Sequence, residues 1–361
     1  MAVGYDNISA RLLKDTKHTI ADSLTKLVNI SYEKSTFPNC LKKAIVRAIH
    51  KKDNTEDASN YRPLSILSVV SKIFERSATN QLIAYLERNQ LLNETQHAYR
   101  KNHSTHTCLG EVLNYIYQEH DKGNLVGMAS LDLSKAFDTI NHSHLIHKLN
   151  KLGLGKNSLN WCESYLTNRK QKTKFKKYMS EETTVTAGVP QGSILGPVLF
   201  ICFTNDLPDK LKNCKIISYA DDSQILVSGK SSKDIKQLLE SLISSAQTWY
   251  TENSLLINAS KSEVMIINRR KKDDEINIEV TEDGKKKRLK LQENIKILGI
   301  YIDKELNWNK QVKEINKKAN YAAINLNRVN QLVPKKERLI RPLQQLSGAT
   351  SKLCRHCMGR M

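Results

Sequence analysis

The chain predicts an α+β fold, an antiparallel sheet flanked by helices. Ile216 to Leu226 places Asp221 and Asp222 between two short β-prone runs, the pattern of a hairpin with two acids at or beside its tip. Val126 to Leu133 reads as a further strand, with Met128, Ser130 and Asp132 on one face and Ala129, Leu131 and Leu133 on the other. Helical spacing recurs around these strands, most strongly at Ile235, Leu238, Leu239, Leu242, Ile243, Ala246 and Trp249.

Composition narrows the function classes. With 361 residues the chain can hold more than one domain with its own core. A formal net charge of +20 points to a polyanionic partner, most simply nucleic acid; the bland alternative is a surface of solvated lysines. Hydrophobic content of 39% fits a globular chain rather than a disordered one. Seven scattered cysteines form no disulfide framework, which fits a reducing compartment. No signal peptide is visible. The most apolar stretch, Ile194 to Phe203, contains Gly and Pro and falls short of the ~20 residues that span a bilayer.

Taken in order, the chain opens with helical spacing at Leu12, Leu13, Ile20, Leu24, Leu27 and Val28, ended by Pro38. Lys42 to Lys52 is a basic strand, and a polar loop leads into Asn60-Tyr61-Arg62-Pro63. Pro63 forces Arg62 towards extended geometry and directs a guanidinium suited to phosphate, although a surface ion pair would satisfy it equally. Ile73, Phe74, Leu82, Tyr85 and Leu86 mark a helix. His97, His103, His106 and Cys108 match no standard zinc spacing, so basic loop contacts to a nucleic-acid backbone are the better reading. Asp138 can cap the helix that carries Leu145, Ile146, Leu149 and Leu152. Arg169 to Tyr178 is a basic, aromatic-punctuated hairpin able to track phosphates. Gly188-Val189-Pro190-Gln191-Gly192-Ser193 is no Walker loop, but its glycines permit close backbone approach to a ligand. Ile194 to Phe203 is a buried helix. A turn and strand over Asn253 to Asn258, a strand at Val264 to Ile267, a charged hairpin or insert from Arg269 to Gly284, and a strand over Ile295 to Asp303 follow. A basic helix over Asn309 to Val329 turns Val312, Ile315, Ala319, Ala322 and Leu326 inward. The terminal Cys354 and Cys357 make at most half a zinc site.

Adjacent acids repel, and a simple turn gains nothing from doubling them. A hard divalent cation offsets the repulsion through carboxylate oxygens. Asp132, an acid within an apolar strand, likewise wants a metal or a cation.

Asp132, the Gly-Val-Pro-Gln-Gly-Ser segment and Tyr219-Ala220-Asp221-Asp222 occur in an order that resembles the reverse transcriptases of LINE-type, non-LTR retrotransposons, jockey-like in flavour. Leu131 to Asp138 looks like the first palm motif, Gly188 to Pro197 the second and Tyr219 to Asp222 the third. Trp249, Asn253, Asn258 and Lys261 match the fourth, and Ile297 to Ile300 the primer grip. Asn60 to Pro63 and Gln96 to Thr105 resemble fingers motifs.

The resemblance implies a right-hand polymerase fold. Residues 1–30 would be a helical lead-in, 31–302 fingers and palm, 303–345 a helical thumb and 346–361 a truncated tail. It implies RNA-directed DNA polymerisation with two Mg²⁺ ions held by Asp132, Asp221, Asp222 and the Leu133 carbonyl. Lys261 would be the general acid at the pyrophosphate. Phe137 would bar a 2′-OH, Arg62 with Lys51 or Lys52 would hold the triphosphate, and Gln191 and Ala220 would line the nucleotide pocket. Arg100, Arg169, Lys172, Lys174, Leu298 and Gly299 would meet template or primer. The implied partners are an RNA template, a DNA primer and deoxynucleoside triphosphates, with no membrane, inside the nucleus or a cytoplasmic ribonucleoprotein. Ala98-Tyr99 stands where the family commonly has a glycine-aromatic pair, and Gln311 where a histidine is frequent. With no room for an upstream endonuclease, the chain is expected to be a polymerase-only product. Two rivals keep the fold: a decayed relic that grips RNA without chemistry, and an intron-type enzyme that needs a maturase-like region after the thumb.

Overall fold

A computed structural model describes residues 3–51, 54–268, 278–282, 285–289 and 291–330. Lys52, Lys290, part of the 269–284 insert, residues 331–345 of the expected thumb and the expected tail with Cys354 and Cys357 lie outside the described residues.

The lead-in is two helices, α1 (Ala10–Asp15), capped by the Ser9 hydroxyl, and α2 (Lys17–Glu33). β1 (Lys43–His50) and β2 (Tyr61–Leu67) pair antiparallel; the second was not evident as a strand from its sequence. α3 (Val69–Arg88) starts at the Ser68 cap, and α4 (Thr105–Asp121) opens on a capping box of Ser104 and Thr107. β3 (Leu125–Leu131) stops at Asp132, and β4 (Leu133–Ser134) changes partner. α5 (His142–Lys151) is capped by Asn141 and not by Asp138, whose carboxylate is bonded elsewhere. α6 (Lys156–Leu166) precedes β5 (Arg169–Phe175) and β6 (Tyr178–Met179), whose pairing confirms the basic hairpin. β7 (Thr183–Val185), the buried α7 (Gly196–Thr204) and the short α8 (Leu207–Lys210) follow. β8 (Lys215–Tyr219) and β9 (Asp222–Gly229) form the acidic hairpin, and α9 (Ser232–Glu252) the strong amphipathic helix. β10 (Leu256–Ile257), β11 (Glu263–Ile267), β12 (Ile278–Glu282) and β13 (Lys285–Leu289) lead to β14 (Asn294–Ile297) and β15 (Ile300–Asp303). The single strand expected over 295–303 is therefore a hairpin. Leu298 and Gly299 form its two-residue turn, both at positive φ. α10 (Asn309–Asn330) closes the described chain; Val312, expected inward, is exposed on it.

The organising layer is an antiparallel sheet in the order β11-β3-β9-β8. Its two faces follow the predicted alternation. Ala129, Leu131, Ile225, Val227, Val264 and Ile266 join the core under α9 and α7. Val126, Met128, Ile217, Leu226, Met265 and Ile267 pack instead on α4 and the β14–β15 hairpin. Gly127 lets α9 press onto the sheet, because a Cβ there would stand 2.3 Å from Ile235. A second sheet joins β2-β1-β5-β6, with β7 on β5; β1 and β5 run parallel, Lys43 opposite Lys170. Among the described residues no helix is long and apolar enough to cross a membrane.

Candidate active site

The site is built where the hairpin tip meets the end of β3. Tyr219 pairs with Asp222, so Ala220 and Asp221 form a two-residue turn, with Ala220 held at φ +57°. Leu131 pairs with Ser223, and the same register runs Asp132 out beside Asp222. β3 cannot continue because the Asp132 backbone is engaged on its other side. Its N–H donates to Ser262 Oγ (3.1 Å), and its carbonyl accepts from Asn258 N–H (2.8 Å). The three acids thus converge from segments about ninety residues apart in sequence.

They repel one another. Burial pushes the Asp221 carboxyl upward and Asp132 adds to the push, while Arg62 and Lys261 oppose it. Asp222 is pushed up to about 6, first by burial, then by Asp221 and Asp132. Asp132 Oδ2 is buried without a hydrogen bond of acceptable direction, although Lys261 Nζ stands 3.1 Å away as an ion pair. The Lys261 side chain is 63% exposed, so this ammonium is a loosely placed counter-charge. Among the described residues no three His, Cys, Asp or Glu side chains form a ready-made metal cluster. The donor set nonetheless fits a hard divalent cation: carboxylate oxygens alone, one of them orphaned, with a lysine standing in for the missing positive charge.

The remaining predicted residues divide. Arg62, on the edge strand β2, lies close enough to Asp221 to lower its proton affinity. Lys51 acts instead on Asp138. Phe137 packs its ring on Phe200, centroids 4.7 Å apart. Gln191 does not reach freely into solvent: its Nε2 donates to both Asp138 oxygens (2.9 and 2.7 Å). The two glycines of its loop lie close against the protein's own backbone. A Cβ at Gly188 would stand 2.6 Å from the Asp138 carbonyl oxygen, and one at Gly192 2.7 Å from that of Ser65. Lys172 and Lys174 are half-buried on β5, facing the same side as Arg47 of β1.

Two arginines expected at nucleic acid are spent inside the fold. The Arg100 side chain is 10% exposed and binds Glu87 (3.0 Å) and the carbonyls of Asn93 and Gln96. Arg169 is 2% exposed, donates to the Tyr165 carbonyl (2.9 Å) and lies over the Tyr165 ring. In both cases a nearby acid, carbonyl or aromatic ring binds the cation where bulk water would otherwise solvate it.

Sequence reasoning missed the role of Gln96 within its fingers motif. Its Oε1 accepts from Ala220 N–H (3.0 Å) and Ala98 N–H (2.9 Å), and its Nε2 donates to the Ala220 carbonyl (3.4 Å). It sits in a polar stretch, Asn93 to His97, 124 positions from its partner, and no periodicity marks it.

Residues 49–302 match the family described as reverse transcriptase (RNA-dependent DNA polymerase). The chain is 28% identical over 320 residues to the RNA-directed DNA polymerase from mobile element jockey of Drosophila melanogaster, covering 86% of this chain and 34% of that protein. It is 29% identical over 267 residues to the probable RNA-directed DNA polymerase from transposon BS of the same fly, covering 72% and 29%. It thus spans about a third of the length of the curated relatives it matches. Among solved structures, apo telomerase from Candida Tropicalis, truncated from its C-terminal domain, superposes with a TM-score of 0.50 at 13% identity, over 80% of this chain and 60% of that one; this likeness shows the fold alone. The fold is the right-hand polymerase fold, with the acidic hairpin in the sheet β11-β3-β9-β8. On the family match and on this hairpin-and-strand arrangement of acids, the chain belongs to the reverse transcriptases, of the LINE type.

Proposed function

We propose that this chain extends a DNA primer on an RNA template, adding deoxynucleotides to the 3′-OH. The observation that carries the reading is the convergence of Asp132, at the end of β3, with Asp221 and Asp222, at the tip of the β8–β9 hairpin, a cluster of acids that a divalent cation would hold together. Asp132, Asp221 and Asp222, with the Leu133 carbonyl, would hold two Mg²⁺ ions. When bound, such ions lower the pKa of the primer hydroxyl and stabilise charge on the leaving pyrophosphate. The protein's own groups do the rest. Arg62, with Lys51 or Lys52, binds the triphosphate. Phe137, braced by Phe200, fills the space a 2′-OH would need. Lys261 donates a proton to pyrophosphate as the bond from the α-phosphorus to its bridging oxygen breaks and the 3′-oxygen, its own proton released to solvent, bonds to phosphorus. Ala220 and Gln191 shape the pocket, and Leu298-Gly299 grips the primer. Residues 1–30 form the lead-in, 31–302 fingers and palm, 303–345 the thumb and 346–361 the tail. The protein acts inside the cell, in the nucleus or a cytoplasmic ribonucleoprotein.

The test is extension of a DNA primer on an RNA template with Mg²⁺. Asp221→Asn is expected to lower the rate at least about a thousandfold, the equivalent of about 4 kcal/mol. No extension by the unmutated chain, alongside salt-sensitive RNA binding, would instead establish the relic.

A further inference from the structure

We infer that Gln96 is a positioning residue for this site, a side-chain clamp that holds the Ala220-Asp221 turn and thereby sets where Asp221 points. The inference rests on the polymerase reading above but not on its assay alone. Ala220 adopts a left-handed conformation that a residue with a Cβ rarely keeps unaided, and the usual two-residue turn would place Asn or Gly there. Something outside the hairpin must hold it, and one buried amide engages both of its backbone groups. Gln96, 7% exposed, accepts from the Ala220 N–H and donates to its carbonyl.

The clamp is itself anchored. Ser218 N–H donates to the Thr95 carbonyl (2.8 Å), and His97 N–H donates to the Ser218 carbonyl (2.9 Å). Residues 95–97 are thus zipped onto the outer edge of β8. Arg100 ties the same loop to Glu87 of α3, and His97 Nε2 lies 2.8 Å from Glu111 of α4. Asn93 N–H donates to Asn205 Oδ1 (2.8 Å) just after α7. The loop is a rigid bridge from helices to the acids, and Gln96 is its contact with the turn.

Gln96→Asn separates the clamp from the loop's own structure. Asparagine can still accept from the N–H two residues on, at Ala98, as in an Asx turn, but is one methylene too short to hold Ala220 as well. Three readouts on the full chain decide the matter. Amide exchange at Ala220 should accelerate about tenfold or more, with β3 and β9 amides unchanged. Mg²⁺ affinity by titration calorimetry should weaken several-fold. Turnover should fall about 10–100-fold, with KM for the deoxynucleotide and RNA affinity within about twofold, the pattern of misplaced acids. Gln96→Met, which removes every bond at similar volume, should reproduce all three. Unchanged Ala220 exchange or unchanged Mg²⁺ affinity overturns the clamp. So does a loss that scales with melting temperature across the whole palm, which marks Gln96 as merely structural. If the unmutated chain extends no primer, the functional reading fails, and exchange and Mg²⁺ binding still decide the clamp.

Discussion

Asp222 sits at about 6 where an ordinary aspartate sits at 3.8. The native chain therefore binds this proton more tightly than the unfolded chain, and stability falls as pH rises from about 4 through about 6. Above that window the charge remains as a destabilising load. Asp222→Asn keeps the shape and removes the charge. At pH 7.5 it should raise Tm by about 1–2 °C, about 1 kcal/mol after allowance for solvent screening. Mg²⁺ should raise the Tm of the unmutated chain and do far less for this variant; a thermal scan with and without the ion reads both, and a lowered Tm would refute the repulsion. The acids were legible in the sequence because strand alternation and hairpin spacing are local signals. Arg100 and Arg169 were not: Arg100 finds Glu87 on a different element, and Arg169, four residues after Tyr165, is buried with it only by the packing of the whole fold. A basic residue in a basic chain looks the same whether it ends in water or in the core.

Elements were read best where periodicity is long, as in α3, α9 and α10, and worst where a short segment changes partner. β3 and β4 were one strand by pattern; the hydrogen bonds of Asn258 and Ser262 to Asp132 divide them. The β14–β15 turn was hidden because Leu298 at φ +48° is a residue type that seldom signals a turn. α7 shows how elements are tied together. Glu75 of α3 is wholly buried and accepts from Ser71 Oγ (2.8 Å) and from the N–H of Ile194 (2.7 Å), just before α7 begins. Burial pushes its carboxyl up, and these bonds with the nearby Arg169 charge pull it back. Glu75→Ala would orphan those donors and leave Arg169 poorly compensated. The expected cost is about 3 kcal/mol, a fall in Tm of about 4–5 °C by calorimetry, with Glu75→Gln falling between. An unchanged Tm would show that α7 needs no such anchor.

At the scale of the whole molecule the +20 charge is a statement about partners, and part of it lies on the sheet of β1, β2 and β5, where Arg47, Lys172 and Lys174 share one side. RNA affinity should fall linearly on a log–log plot against salt. Lys172→Ala with Lys174→Ala should flatten that line by about 0.7 per contact removed, with little dependence on RNA sequence. A slope identical to that of the unmutated chain would place these lysines off the nucleic acid. The basic excess was legible at once; its division between surface and interior was not, because a count of charges carries no coordinates. The parallel pairing of β1 with β5 has a consequence for synthesis. β1 leaves the ribosome well before β5, across an interval of over a hundred residues that takes on the order of ten seconds at typical elongation rates. During that wait only β2 can pair with β1, and its other edge stays open, so this sheet of the nascent chain remains unfinished until β3 and the helices after it have emerged.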